Sequence, residues 1–145
     1  MFFVYGINYS QNDLKVEFPK VFEIGQYKEH YDTFLAQSDV MLLSVCDNYI
    51  AITYQLWNEM LADLEKFSND RGLDLAGVRM FIRVVWNPDG YIKHFAFESR
   101  ANSKIIDKTM FAKITEDFCA NYQLPKSHSS SFIHYGSVNF PIKKR

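Results

Sequence analysis

Two alternating segments joined by a tight turn constrain the fold of this chain more than any other part of its sequence. Residues 78–86 and 91–98 each place their side chains alternately on two faces, which is the two-residue period of a β-strand. Between them stands Asn87-Pro88-Asp89-Gly90. Proline fixes φ for the second position of a turn, and glycine tolerates a positive φ at its end. The sequence therefore predicts a β-hairpin over residues 78–98.

Three segments carry the 3.6-residue period of amphipathic helices, namely residues 26–37, 55–71 and 106–122. The second of them is the clearest, because its apolar residues mark one face. Gly72 follows it, and glycine is the usual residue just past a helix C-terminus, so this helix is expected to end at Arg71. The apolar face of the clearest helix consists of Leu56, Trp57, Met60, Leu61, Leu64 and Phe67.

The remaining apolar segments are predicted to be strands. Two lie at the start of the chain, over residues 1–7 and 14–18, and one lies near its end, over residues 132–142. Two apolar runs, 40–45 and 49–54, flank Cys46-Asp47-Asn48, whose residues tolerate turn geometry. This pattern predicts a second hairpin over residues 40–54.

These elements predict an α+β fold in which helices pack on one face of an antiparallel sheet. The chain has 145 residues, the size of one domain, and no linker-like composition divides it, so we expect a single compact domain. Residues 78–145 form a β-β-α-β unit within it, and residues 1–77 are a mixed α/β extension. Asp47-Asn48-Tyr49-Ile50 resembles Asp89-Gly90-Tyr91-Ile92 in position, which leaves open that the extension is a structural repeat.

Composition excludes several classes of function. The 16 basic and 17 acidic side chains nearly cancel, and this balance excludes a polybasic nucleic-acid binder. With 6 Gly, the chain has no phosphate-cradling loop. The 13 Phe, 9 Tyr and 2 Trp are unusually many and favour a bulky aromatic core. Trp57 and Trp86 are expected to anchor that core, with Trp86 as an exposed binding platform the alternative.

No arrangement of nucleophile and base is evident, so we expect no enzymatic activity and no cofactor. Cys46 and Cys119 stand in no Cys-x-x-Cys motif and are expected to be buried free thiols, with one disulfide as the alternative. His94 and Glu98 are four residues apart on a strand and share a face, so with His134 they could form a metal site. Solvated outer-face residues are the favoured interpretation of all three.

The second half of the chain resembles the C-terminal domain of TonB-type energy transducers. Arg83-Val84-Val85-Trp86, Asp89-Gly90 and Ile92 with Phe95 and Phe97 correspond to the first hairpin of that domain. Ile106-Asp107 corresponds to the Leu-Asp pair at the start of the family's helix, and Phe118 lies near the Trp that ends that helix. Pro125 lies near the family's loop proline, and residues 137–142 correspond to its last strand. The resemblance covers about residues 78–145.

This resemblance implies how the chain would act. In that family the last strand is a sheet edge that accepts an extended peptide by strand addition. The resemblance therefore implies a non-enzymatic protein- or peptide-recognition domain of the bacterial cell envelope, with an outer-membrane or envelope protein as its partner. Edge pairing would also permit a homodimer. The predicted partner-binding residues lie on the last strand: Phe132, His134, Gly136, Val138 and Phe140.

A second functional class stays open, since the aromatic residues could line a cavity for a small ligand between helices and sheet. The four Tyr residues without an assigned core role, Tyr49, Tyr91, Tyr122 and Tyr135, are where an exposed patch is expected. No apolar run is long enough to span a membrane, and residues 1–7 are a poor secretory signal. We expect a periplasmic or envelope location if the chain is a mature form, and a cytoplasmic one otherwise.

Overall fold

A four-stranded mixed sheet forms the centre of the structure, a computed structural model that describes residues 17–143. Its strands are β1 (Val21–Glu23), β2 (Arg79–Trp86), β3 (Ile92–Ser99) and β4 (Phe132–Asn139). Their spatial order is β1-β3-β2-β4. The pairs β2–β3 and β2–β4 are antiparallel, whereas β1 is parallel to β3. The α+β class is confirmed, but the sheet is mixed rather than wholly antiparallel.

The predicted hairpin over residues 78–98 is confirmed as strands β2 and β3 joined by a tight turn. The Gly90 N–H donates to the Asn87 carbonyl at 2.9 Å, and Gly90 takes φ +92°. A Cβ at this position would lie 2.5 Å from the Leu124 carbonyl oxygen. Glycine is therefore required here twice over, by its positive φ and by the close approach of a neighbouring backbone.

Four α-helices surround the sheet: α1 (Tyr31–Leu35), α2 (Leu42–Val45), α3 (Ile50–Asn69) and α4 (Lys108–Asn121). The two long helices confirm the predictions over 55–71 and 106–122, although α3 begins five residues earlier. The Asp107 carboxylate caps α4 by accepting a hydrogen bond from the Met110 N–H at 3.0 Å.

The predicted helix over residues 26–37 is divided in the structure. A 3₁₀ helix, Ile24–His30, precedes the short helix α1, and Tyr27 inside it departs from helical geometry with φ −123°. The predicted strand over 1–7 lies outside the described residues, as does most of the one over 14–18. Glu17 and Phe18, which end that second strand, are not in a strand.

The predicted hairpin over residues 40–54 is wrong, because the segment is helical on both sides of its turn. Asp47 and Asn48 do take positive φ values of 56° and 64°, as a hairpin turn would require. They end helix α2 instead: the Asn48 N–H donates back to the Leu43 carbonyl at 2.8 Å, which is the pattern of a left-handed helix terminus. Between Glu17 and Gly77 the structure has one strand, β1.

Hydrophobic cores lie on both faces of the sheet. The larger one packs α3 and α4 against inward residues of β2, β3 and β4, and Trp86 is completely buried in it. Trp86 is thus a core anchor and not a platform. The smaller core, on the opposite face, joins the 3₁₀ helix and α1 to the sheet through Phe22, Phe34 and Ala96. The two long helices share one face, as expected, while the second face carries the 3₁₀ helix and α1.

Candidate peptide-binding edge

Within residues 17–143, strand β4 forms one edge of the sheet and pairs with β2. Half of its peptide groups face away from β2. Its register places Val138 opposite Met80 and Ser137 opposite Phe81. The Phe140 N–H donates inward to the Val78 carbonyl at 3.0 Å. Because hydrogen-bonded and non-hydrogen-bonded pairs alternate along an antiparallel ladder, the peptide groups of residues 133, 135, 137 and 139 point outward.

One end of this outer edge is already paired with the chain's own backbone. The Ile133 N–H donates to the Val40 carbonyl at 2.8 Å, and Met41 forms a parallel bridge with Ile133. The Ser38 hydroxyl donates to the Ser131 carbonyl at 2.8 Å. Residues 38–41 therefore lie where a fifth strand would begin. They pair with β4 at Ile133, and the later residues of β4 extend beyond them.

The remainder of the outer edge is unpaired within the part of the chain that the structure describes. The outward peptide groups of Tyr135, Ser137 and Asn139 have no hydrogen-bond partner among residues 17–143. An unpaired edge is a template for another strand, and proteins usually protect it with charge, proline or a bulge. Strand β4 carries no charged residue and no proline over its eight residues, and its register with β2 is regular.

A groove lies beside this open edge, between β4 and helix α3. It has a volume of about 430 Å³ and is lined by Trp57, Asn58 and Leu61 from the helix. Ser137 to Lys143 form its opposite wall. Side chains of an added strand alternate between the two faces of the sheet, so those directed toward α3 would enter this groove.

The aromatic surface extends along α3 beyond the groove. Ile50 and Tyr54 are exposed, at 60% and 56%, and their spacing from Trp57 and Leu61 places all four on one side of the helix. The His134 ring lies between this helix and β4, with its centroid 4.6 Å from the Trp57 ring. The exposed side chains of Ile50 and Tyr54 and the half-buried His134 ring form an apolar wall beside the open backbone, next to Trp57 and Leu61, which are 4% and 1% exposed.

His134 is a polar group without a polar partner in this wall. Its Nδ1 is buried and forms no hydrogen bond within residues 17–143. Burial lowers the pKa of His134 to about 4, because the charged imidazolium loses its hydration there. The ring is therefore neutral at pH 7 and contributes to the apolar wall.

On the opposite face of the sheet, an arginine lies next to the open edge. Arg83 is opposite Tyr135 in the register, and its guanidinium carbon lies 4.2 Å from the centre of the Tyr135 ring. Arg83 Nε donates to the Tyr31 hydroxyl at 3.1 Å. Tyr135 is exposed at 42%, so this aromatic and cationic surface continues directly to the outer edge.

The structure does not place the peptide groups of the five predicted partner-binding residues on the outer edge of β4. Phe132, Val138 and Phe140 are buried in the larger core, and His134 packs on α3. Gly136 shares their inward face, and the peptide groups of all five face β2. The outward backbone belongs instead to alternate residues, Tyr135, Ser137 and Asn139, which the sequence analysis did not select. The signal that identifies them is register, because only the pairing with β2 decides which alternate set points outward.

The histidine residues named as candidate metal ligands lie apart from one another in the described part of the chain. His94 packs among Phe18, Phe22 and Phe34 on the smaller core, so the expectation of a solvated His94 is wrong. His134 lies on the other face of the sheet, and residues 17–143 contain no group of three potential ligands close enough to hold a metal ion.

The two cysteines are buried free thiols, as predicted. Burial raises the pKa of Cys119 to about 12, so this thiol does not ionise near neutral pH and is a poor nucleophile. Among the four Tyr residues, Tyr49, Tyr91 and Tyr135 are exposed, while Tyr122 is half-buried.

A second cavity of about 320 Å³ lies between α3 and α4. It is lined by three aromatic rings, those of Phe67, Phe118 and Tyr122, together with Asp63 and polar neighbours. Burial, with the nearby Asp63 and Glu59 charges, raises the pKa of Tyr122 to about 12. The cavity is at the lower limit of ordinary ligand sites.

No protein-family model matches the chain, no curated protein matches it, and no solved structure matches it. Over residues 17–143, no helix is both long and apolar enough to cross a membrane.

Proposed function

We propose that this protein recognises an extended segment of a protein or peptide by strand addition to the outer edge of β4. The observation that carries the proposal is the open end of an uncharged eight-residue edge strand, beside a groove with an aromatic wall. Backbone pairing would supply affinity in this mode, and the groove would select alternate side chains.

The chain's own residues 38–41 support this mode of binding. They pair with the outer edge of β4 at Ile133 in parallel orientation, so the edge accepts an extended backbone where one is available. They also limit the site, because a partner strand can add only beyond Ile133. The unpaired part ends at Asn139, and a segment of about five to seven residues fits that length.

The resemblance to TonB-type C-terminal domains supports the same proposal and extends it to the bacterial cell envelope. The order of elements after residue 78 is strand, strand, helix, strand, which is the order that the resemblance implies. We further propose that the partner is an envelope protein and that two copies of the chain can pair through β4. Neither form of binding needs a catalytic residue.

A display selection followed by NMR titration tests strand addition. Random seven-residue peptides displayed on phage are selected against the full chain, and the best binder is titrated into isotope-labelled protein. We expect the amide signals of Tyr135, Ser137 and Asn139 to shift most and to gain protection from hydrogen exchange. Selected peptides that leave these three amides unchanged would contradict the proposal.

A proline substitution provides the matched variant. Ser137→Pro removes one outward N–H while leaving the inward ladder to β2 intact, so it should abolish peptide binding in a folded protein. Ser137→Ala keeps the N–H and changes the same side chain, and it should bind normally. Equal binding by the two variants would exclude backbone pairing at this position.

A small-ligand function is the second candidate, and the cavity between α3 and α4 favours it. Its three aromatic rings would hold a flat apolar group. Phe118→Ala should then abolish ligand binding in a fluorescence or thermal-shift screen, while Ser137→Pro should not affect it. A screen without any Phe118-dependent hit would leave this candidate unsupported.

A further inference from the structure

We infer that the segment bound at β4 is acidic, with a carboxylate side chain that pairs with Arg83. This inference rests on the proposed strand addition and names the chemistry of its partner. It concerns the face of the sheet opposite α3. The side chain of Tyr135 lies on that face, and its peptide group points outward at the open edge.

Arg83 is a cation without a counter-charge in the described part of the chain. No carboxylate between Glu17 and Lys143 lies within 4.0 Å of its guanidinium. The guanidinium instead donates a hydrogen bond from Nε to the Tyr31 hydroxyl. The side chain is partly buried, and a partly buried charge gains more from a partner ion than an exposed one does.

The position of the guanidinium directs it toward the open edge. It stacks on Tyr135 at 4.2 Å, and Tyr135 belongs to the strand that an added segment would join. A residue of that segment opposite Tyr135 would have its Cα about 5 Å further out. A Glu or Asp side chain at that position, or two residues along on the same face, reaches back across Tyr135 to the arginine.

Neighbouring charges favour the same partner. Arg79 is exposed and lies opposite Asn139, four residues further along the same face of β2. Lys143 lines the groove on the other side of β4. Glu65 on α3 is already engaged, since it accepts a hydrogen bond from the Ile142 N–H at 3.0 Å. The exposed carboxylate of Asp39 belongs to the segment 38–41, which covers the other end of the edge at Ile133. The open part of the edge therefore presents cations to its partner on both faces.

The peptide selection described above tests this inference when its sequences and affinities are compared between variants. We expect peptides selected on the unmutated chain to share one Asp or Glu flanked by alternating β-branched residues. Replacing that residue by Asn or Gln in a synthetic peptide should weaken binding about tenfold.

The Arg83→Gln variant should bind the acidic peptide and the matching amide peptide (its amide twin) with equal affinity, and that affinity should be the weaker of the two measured on the unmutated chain. Lys93→Gln removes an exposed cation from β3, which does not touch β4, and should retain the tenfold preference.

The outcomes separate this inference from the function on which it rests. Peptides that shift the β4 amides without any preference for the acidic twin would overturn the charge pairing and leave strand addition standing. If no selected peptide shifts those amides, both proposals fall. The twin peptides are also compared on the unmutated chain, so this test holds even if Arg83→Gln fails to fold.

Discussion

The two edges of the sheet differ in length and in charge, two properties that control whether a strand can be added to them. Strand β1 has three residues, and charged residues occupy its end and the position before it. Glu23 pairs with Lys108 Nζ at 2.6 Å, and Lys20 Nζ donates to the Ile92 carbonyl at 2.9 Å. Short length and charge are common protections of a sheet edge.

Strand β4 has neither protection, although it belongs to the same sheet. It has eight uncharged residues, and among residues 17–143 its outer edge is covered only at Ile133. The contrast indicates that an open edge is not a general feature of this fold, because the opposite edge is closed by ordinary means. Length and charge therefore leave β4, and not β1, open to an added strand.

The largest expected effect concerns the inward side of β4. Phe132 is fully buried and stacks on Trp86 with ring centroids 5.4 Å apart. Phe132→Ala should lower the free energy of unfolding by about 3–5 kcal/mol, because it leaves a cavity in the larger core. Chemical denaturation checks this, with Ser137→Ala as a control expected to stay within about 0.5 kcal/mol. A small effect of Phe132→Ala would mean that β4 is weakly anchored and that its edge is not rigid.

Two proline variants compare the inward and outward backbone of the same strand. Val138→Pro removes a ladder hydrogen bond opposite Met80 together with a buried side chain, and it should cost about 3 kcal/mol. Ser137→Pro removes an outward N–H and should cost less than about 1 kcal/mol. Thermal unfolding of both variants measures the difference. If Ser137→Pro proves equally damaging, the outward orientation of this amide is wrong.

The outcome for individual residues shows which parts of this molecule are predictable from sequence. Gly90 and the alternation around it specify a hairpin locally, since turn chemistry and strand period agree. Asp47 and Asn48 have equally clear turn chemistry, but short apolar runs beside a turn fit either a strand or a buried helix. Tertiary packing decides between them here. Leu42 in helix α2 and Cys46 at the C-terminal cap of that helix are buried in the larger core.

The sequence predicts which strand forms the candidate site, but it does not predict which residues of that strand face outward. Alternation in residues 132–140 indicates an edge-strand candidate but does not show which alternate residues face β2. That choice depends on the pairing of Ser137 with Phe81 and of Tyr135 with Arg83, which are contacts between distant parts of the chain. The groove beside β4 likewise depends on where α3 packs.

A pH-dependent effect of intermediate size should come from the histidines beside the two edges. The pKa of His134 is about 4 in the folded protein, below its ordinary value of 6.5, so the unfolded state binds more protons between these values. The free energy of unfolding should therefore fall as the pH falls from about 6.5 to about 4. His134→Phe should reduce this slope, as measured by denaturation at several pH values.

His94, close to β1, provides the comparison for this effect. Burial is the main cause that lowers its pKa as well, although its Nδ1 donates to the Pro19 carbonyl at 2.9 Å. The His134→Phe variant should therefore keep some dependence of the free energy of unfolding on pH, and adding His94→Phe should reduce it further. If the slope against pH is unchanged in both variants, neither histidine has a lowered pKa in the folded protein.

The smallest expected effect concerns the ion pair at β1, and it tests whether charge alone distinguishes the two edges. Glu23→Gln removes a partly exposed pair with Lys108 and should cost about 0.5 kcal/mol or less, with a smaller difference at high salt. The variant should still bind no peptide along β1, because three residues offer too few backbone groups for a stable added strand. If the selected peptide shifts the amide signals of Val21–Glu23 in this variant, the Glu23 charge prevents strand addition at β1 in the unmutated chain. Their absence would place the decisive difference in the length of β4 and in the wall that α3 builds beside it.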